Sequence, residues 1–230
     1  SLSLPGVWVD PVVPLSSGTA SVRWQAPSGA NSGWYAAIES ARLQTPDGLL
    51  VGDATWRADG SLSGHLKLAA QVDAMAVTAL PRYLPASLPE VSAYLSTHVL
   101  SGRLKNTTVL FDGRPDDFPF KSRAAGVFDV KADVINATYD YARTLGKDQD
   151  WPAVAQLNGR FELSDNAIEL RQVSGRLLRA PAIVLRESRL TWPDFTSDRP
   201  LKVTLTAAGP LAIWLNELNR TPLGVRTEGL

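Results

Sequence analysis

Few residues in this 230-residue chain are of a type and spacing that could do chemistry. There is no cysteine, which removes disulfides, thiolate zinc sites and a Cys nucleophile. The two histidines are isolated. His65 falls on the polar side of an alternating stretch, His98 on the flank of a helical one, and neither has an H-x-x-x-H partner or a carboxylate cluster beside it in sequence. No G-x-S-x-G, P-loop or G-x-G-x-x-G pattern occurs. The densest acidic spot, Asp112 with Asp116 and Asp117, reads as a solvated loop ahead of an anchor at Phe118-Pro119-Phe120 rather than as a cation site. Glycoside chemistry would need two inward carboxylates about 5–9.5 Å apart, and no pair can be nominated. The seven tryptophans and five tyrosines invite a sugar-stacking reading, but Trp24, Trp34 and Trp56 sit at β-favoured positions and read as sheet-filling residues. The chain is therefore expected not to be an enzyme, and to carry neither a metal nor a cofactor.

Composition narrows the class further. Apolar residues make up 44% and charged residues 20%, the balance of a folded chain with a real core. Lys plus Arg equals Asp plus Glu at 23 each, so there is no basic excess to hold nucleic acid. No basic block suited to a lipid surface appears. The longest charge-free run, Trp24 to Ile38, is too short and too polar to span a bilayer. The chain opens at Ser1 without Met or a signal-peptide pattern, which reads as a segment of a longer protein.

The elements that must position any site are mostly strands. Period-two alternation is clearest from Ser61 to Asp73, where Leu62, Gly64, Leu66, Leu68, Ala70 and Val72 oppose Ser63, His65, Lys67 and Gln71. It recurs at Val127–Val134, with Phe128, Val130, Ala132 and Val134 against Asp129, Lys131 and Asp133. A third run places Leu201, Val203, Leu205 and Ala207 opposite Lys202, Thr204 and Thr206. Noisier runs, punctuated by Pro46-Asp47-Gly48, Ala58-Asp59-Gly60 and Ser164-Asp165-Asn166, bring the total to about ten antiparallel strands. After Val134 the apolar positions change parity to Ile135, Ala137, Tyr139 and Tyr141, which predicts a β-bulge near Val134–Ile135.

Three short helices are expected. One spans Leu88–Leu100, opened by a Ser87/Glu90 capping box and packed by Val91, Tyr94, Leu95, His98 and Val99. A second starts at Pro210, with Leu211, Trp214, Leu215 and Leu218 on its apolar face. A weaker third runs from an Asp73 cap through Val77 and Leu80 to Pro81. The pattern of alternating strand followed by apolar helix thus occurs twice, at Leu66–Leu68 and at Leu201–Val203.

The fold class is mainly β, and the alternation leaves two ways to cover its apolar faces. Two sheets could close on each other as a sandwich, or one long curled antiparallel sheet could leave an open groove, a half-pipe, as a binding surface.

A resemblance favours the second. Arg82-Tyr83-Leu84-Pro85, Pro89 to Leu95, Leu100 to Leu104, Asp117-Phe118-Pro119-Phe120 and Gly126 to Val130 resemble the AsmA-like superfamily in its YhdP branch. The match continues through Ala137 to Tyr141, Asp150-Trp151-Pro152-Ala153, Leu157 to Leu163 and the helix at 209–215. It covers roughly residues 60–220, with Arg143–Gln149 as an interposed loop, and residues 1–60 match in style as preceding strands, so 1–230 reads as one segment of a β-groove protein. The resemblance implies a periplasmic half-pipe whose full-length chain is anchored in the inner membrane and helps to move phospholipids to the outer one. It implies acyl chains as partner and no catalytic residues. On that reading Leu62, Leu66, Leu68, Val72, Phe128, Val130, Val134, Leu201, Val203 and Leu205 line the groove. The alternative is a ligand-free scaffold or adhesion β-sandwich.

Overall fold

Each alternating stretch becomes a strand, and the turn residues between them set consecutive strands side by side. The structure is a computed structural model; it describes the chain except residues 1, 4–11, 29–32, 62, 85–88, 121, 145–149, 195–196, 223 and 225–230, and only the backbone of Leu2, Ser3 and Val13. A short pair, β1 (Leu2–Ser3) and β2 (Val12–Val13), precedes the main sheet. The sheet begins with β3 (Ser17–Gln25), β4 (Tyr35–Thr45), β5 (Gly48–Arg57) and β6 (His65–Ala76). It continues with β7 (Val99–Gly113), β8 (Gly126–Tyr139), β9 (Val154–Ser164), β10 (Ala167–Leu177) and β11 (Val184–Trp192). The short strands β12 (Lys202–Thr204) and β13 (Ala207–Ala208) both pair with β11.

The order from β3 to β12 is a simple antiparallel meander in one 11-stranded sheet, and its two edges do not pair with each other. The groove is therefore open. A sandwich would need a second large sheet facing this one, and the described residues form none.

The predicted bulge is real and has company. In β8 the register shifts between Val134 and Ala137, with Asn136 at φ 49° as the extra residue. Ile135 stays on the polar side, paired with Arg103, so the change of parity falls one residue later than its first apolar position suggests. Ser40, Asn106, Gln156, Gln172 and Glu187 take the same left-handed conformation in β4, β7, β9, β10 and β11. Neighbouring side chains hold these kinks: Asp53 Oδ1 accepts from the Ser40 N–H at 2.7 Å and Asn158 Oδ1 from the Asn136 N–H at 3.0 Å. Each bulge bends its strand and adds twist, so six of them curl the sheet.

The helices gather at one end of the sheet. Helix α1 (Pro89–His98) follows a 3-10 turn at Val77–Tyr83, and α2 (Leu211–Arg220) follows β13 with Pro210 at its N-cap. Three expectations need correction here. Asp73 caps nothing: β6 runs on to Ala76, and a single 3-10 turn containing Pro81 replaces the weak helix. In α1 the buried positions are His98, as expected, which donates from Nδ1 to the Asp140 carbonyl at 2.7 Å, and Ser92, which was not expected, whereas Val91 and Tyr94 are 43% and 46% exposed. Ser87 of the proposed capping box lies outside the described residues. In α2 it is Ile213 and Trp214 that pack on the Leu177, Ala180 and Ile183 cluster, with Glu217 buried beside Arg179 at 3.3 Å. Leu211 and Leu215 point away.

Candidate functional site

Antiparallel partners share a face, so the register tells which side chains lie together. One row runs Trp24, Ala36, Trp56, Leu66 and on to Gly113 and Gly126. The next runs Val22, Ile38, Ala54, Leu68, Phe111 and Phe128. A third takes Ala70, Val109, Val130, Leu163, Ile168 and Trp192 from β6 to β11, and a fourth takes Ala132, Phe161, Leu170, Leu190 and Val203 from β8 to β12. Below the bulges the same face continues as the cluster of Ala137, Leu157 and Val173 with Val134, Tyr139 and Leu170. One side of the sheet is thus apolar from edge to edge.

The reverse side is laced with ion pairs, most of them between neighbouring strands. Lys67 meets Asp112 at 3.0 Å, Lys131 meets Glu162 at 3.3 Å and Arg123 meets Asp129 at 2.8 Å. Arg171 bridges Glu162 and Glu169, and Glu169 also pairs with Arg189. His65 binds Asp112 through Nε2 at 2.8 Å, a carboxylate that sequence spacing alone did not bring near it. The Asp112 carboxyl lies below its usual range: burial pushes it up, but the hydrogen bonds from His65 and Lys67 outweigh that. A shallow depression between β10 and β11, bordered by Arg171, Arg186, Glu187 and Arg189, also lies on this polar surface, where two bulges part the strands. Among the described residues no three His, Asp or Glu cluster as a metal set, and no helix is long and apolar enough to cross a membrane.

No second sheet covers the apolar face among the described residues, although two short segments overlie it at β6 to β8. At its edges Val22, Trp24, Ile38 and Val203 are 56%, 72%, 40% and 51% exposed. Towards the middle, small residues such as Ala70 and Ala132 are buried in the floor. Of the ten residues expected to line a groove, pairing places Leu66, Leu68, Val72, Phe128, Val130, Val134 and Val203 on this one face. Leu62 lies outside the described residues. Leu201 and Leu205 flank β12 without a paired partner and are 46% and 66% exposed. Phe161, Leu163, Ile168, Leu170 and Leu190 were not singled out. Their strands alternate less cleanly because the bulges at Gln156, Gln172 and Glu187 break the period of two, and only the cross-strand register recovers them.

A single curled sheet with a salt-bridged outside and an apolar inside that no second sheet covers defines a β-trough protein. The model of the YhdP protein family matches residues 1–230, and the chain belongs to that family of AsmA-like bacterial envelope proteins. No curated protein and no solved structure matches it.

Proposed function

We propose that this segment binds the acyl chains of phospholipids in its apolar trough, in the periplasm, and helps to carry phospholipid between the inner and outer membranes. On this reading the whole chain is anchored in the inner membrane. The observation that carries it is the apolar face that runs from β3 to β12, exposed at both ends, on a sheet whose edges do not pair with each other. Each acyl CH2 kept out of water is worth about 0.8 kcal/mol, so a trough several strands long holds a chain without any single strong contact. Movement along it costs little, because each step exchanges one apolar contact for an equivalent one. The headgroup needs no polar partner inside, since the open side leaves it in water.

The reading is tested by placing a photo-crosslinking residue at single positions in the whole protein in cells. Leu68, Phe128, Val130 and Val203 should capture phospholipid, whereas Lys67, Lys131 and Lys202 should not. Equal capture on both faces, or none on either, would count against an acyl-binding trough and in favour of a scaffold without ligand.

A further inference from the structure

Over β6 to β8 the apolar face is overlaid from both ends. From the end opposite the helices, the segment between β7 and β8 folds back onto it. Phe120, 1% exposed, lies across Gly113 and Gly126, where a Cβ would come within 2.5 Å of its ring. Phe118 rests against Phe128 and Phe111, with ring centroids 5.1 and 6.3 Å apart. From the helix end, the 3-10 turn sets Val77 and Leu80 against Leu104 and Ala132.

Each cover is fastened to an opposite end of β5. Arg114 donates to Asp59 at 2.7 Å, and the Ser63 N–H donates to Asp116 at 3.1 Å. Arg82 and the Tyr83 hydroxyl donate to Asp47 at 2.7 and 2.8 Å. Between the covers Ala70, Val72 and Thr107 are buried, and only Val109 of β7 and Val130 of β8 stay half-buried on this face. From Phe111 to Leu104 is about 20 Å of strand, and side chains reach into it from both ends. The face is far more exposed at β3 and β12.

We propose that the two covers form a waist in the trough: an acyl-chain subsite floored by Val109 and Val130 and bounded by Phe118 and Leu80. Chains pass through it between the β3–β5 half and the β9–β12 half. This rests on the lipid reading above. The slot takes hydrocarbon, because Val109, Val130, Phe118 and Leu80 are all apolar. A hydrated headgroup would have to shed its water to enter, so it stays on the open side.

The experiment uses the whole protein in cells, with a photo-crosslinker at Ile38 on one side of the waist or Val203 on the other, and reads captured phospholipid. Val109→Trp should fill the slot, leaving capture near the parental level on one side and lowering it severalfold on the other. Leu110→Trp, the next residue and on the outer face, should change neither. A crosslinker at Phe118 or Leu80 adds no plug and should capture lipid as readily as Ile38 does. If Ile38 and Val203 capture lipid while Phe118 and Leu80 do not, or if Val109→Trp affects both sides alike, the waist is wrong and the trough survives. If Ile38 and Val203 capture nothing in the parent protein, the lipid reading fails and the waist with it.

Discussion

Replacing Phe120 by alanine tests whether the fold over β7 and β8 is held as described. The ring is 1% exposed and touches Phe111 and Phe118 with centroids 5.3 and 5.8 Å apart. Beneath it, Gly113 and Gly126 have no side chains that could move into the space it leaves. Truncating a buried Phe costs about 3–5 kcal/mol through lost transfer energy and an unfilled cavity. Part of that is recovered here, because the freed segment can lift away locally while the strands stay paired. The expected global loss is therefore near the low end, about 3 kcal/mol, or a fall of roughly 6–12 °C in Tm for a domain of this size. Thermal unfolding followed by circular dichroism gives the global value, and hydrogen exchange at residues 114–126 should rise beyond it. Phe118→Ala removes a half-buried ring and should cost about 1 kcal/mol. Should both variants melt like the parent, with exchange at 114–126 unchanged, Phe120 does not anchor this segment and the reasoning fails.

Other outcomes follow from the same contacts. Thr107 Oγ1 is buried on the apolar face without a partner, so Thr107→Val should be neutral or raise stability by about 1 kcal/mol in chemical denaturation; a clear loss would mean that the hydroxyl is satisfied. Asn136 holds a left-handed kink, so Asn136→Val should destabilise by about 1–2 kcal/mol while Asn136→Gly does not, read from the same melts. The Asp59 carboxyl is held well below the usual range of 3.8, by hydrogen bonds from the Ser61 hydroxyl and N–H and then by Arg114. A depressed carboxylate contributes above its unfolded pKa and loses that contribution as pH falls through the folded one, so the cover over Phe111 should persist through mild acid and loosen only below about pH 3.8, as hydrogen exchange of residues 114–126 would report.

Much of the fold was legible because its signal is local. The stretches Leu66–Val72 and Phe128–Val134 alternate without interruption, and an alternating face is what a one-layer sheet requires. The bulge after Val134 was legible too, since it inverts parity within a single strand. What was not legible depends on pairing or on competition between contacts. In α1 the periodic stripe included His98, which is buried and bonded to Asp140, but Val91 and Tyr94 on the same side stay exposed, and the buried Ser92, in contact with the Pro81 carbonyl at 3.4 Å, was not part of it. In α2 the Arg179–Glu217 pair decides the rotation against the more apolar Leu211 and Leu215. The Phe118-Pro119-Phe120 anchor was visible as a motif, yet nothing local says that it lies across two glycines on neighbouring strands.

The most direct test of the trough is Ile38→Glu, at a position 40% exposed on the apolar face, measured as lipid co-purifying with the whole protein beside the melting temperature of the same sample. An open trough lets the new carboxylate reach water, so the account predicts a melt close to that of the parent with bound phospholipid largely lost. A collapse of the melt, or undiminished lipid with an intact fold, would contradict it.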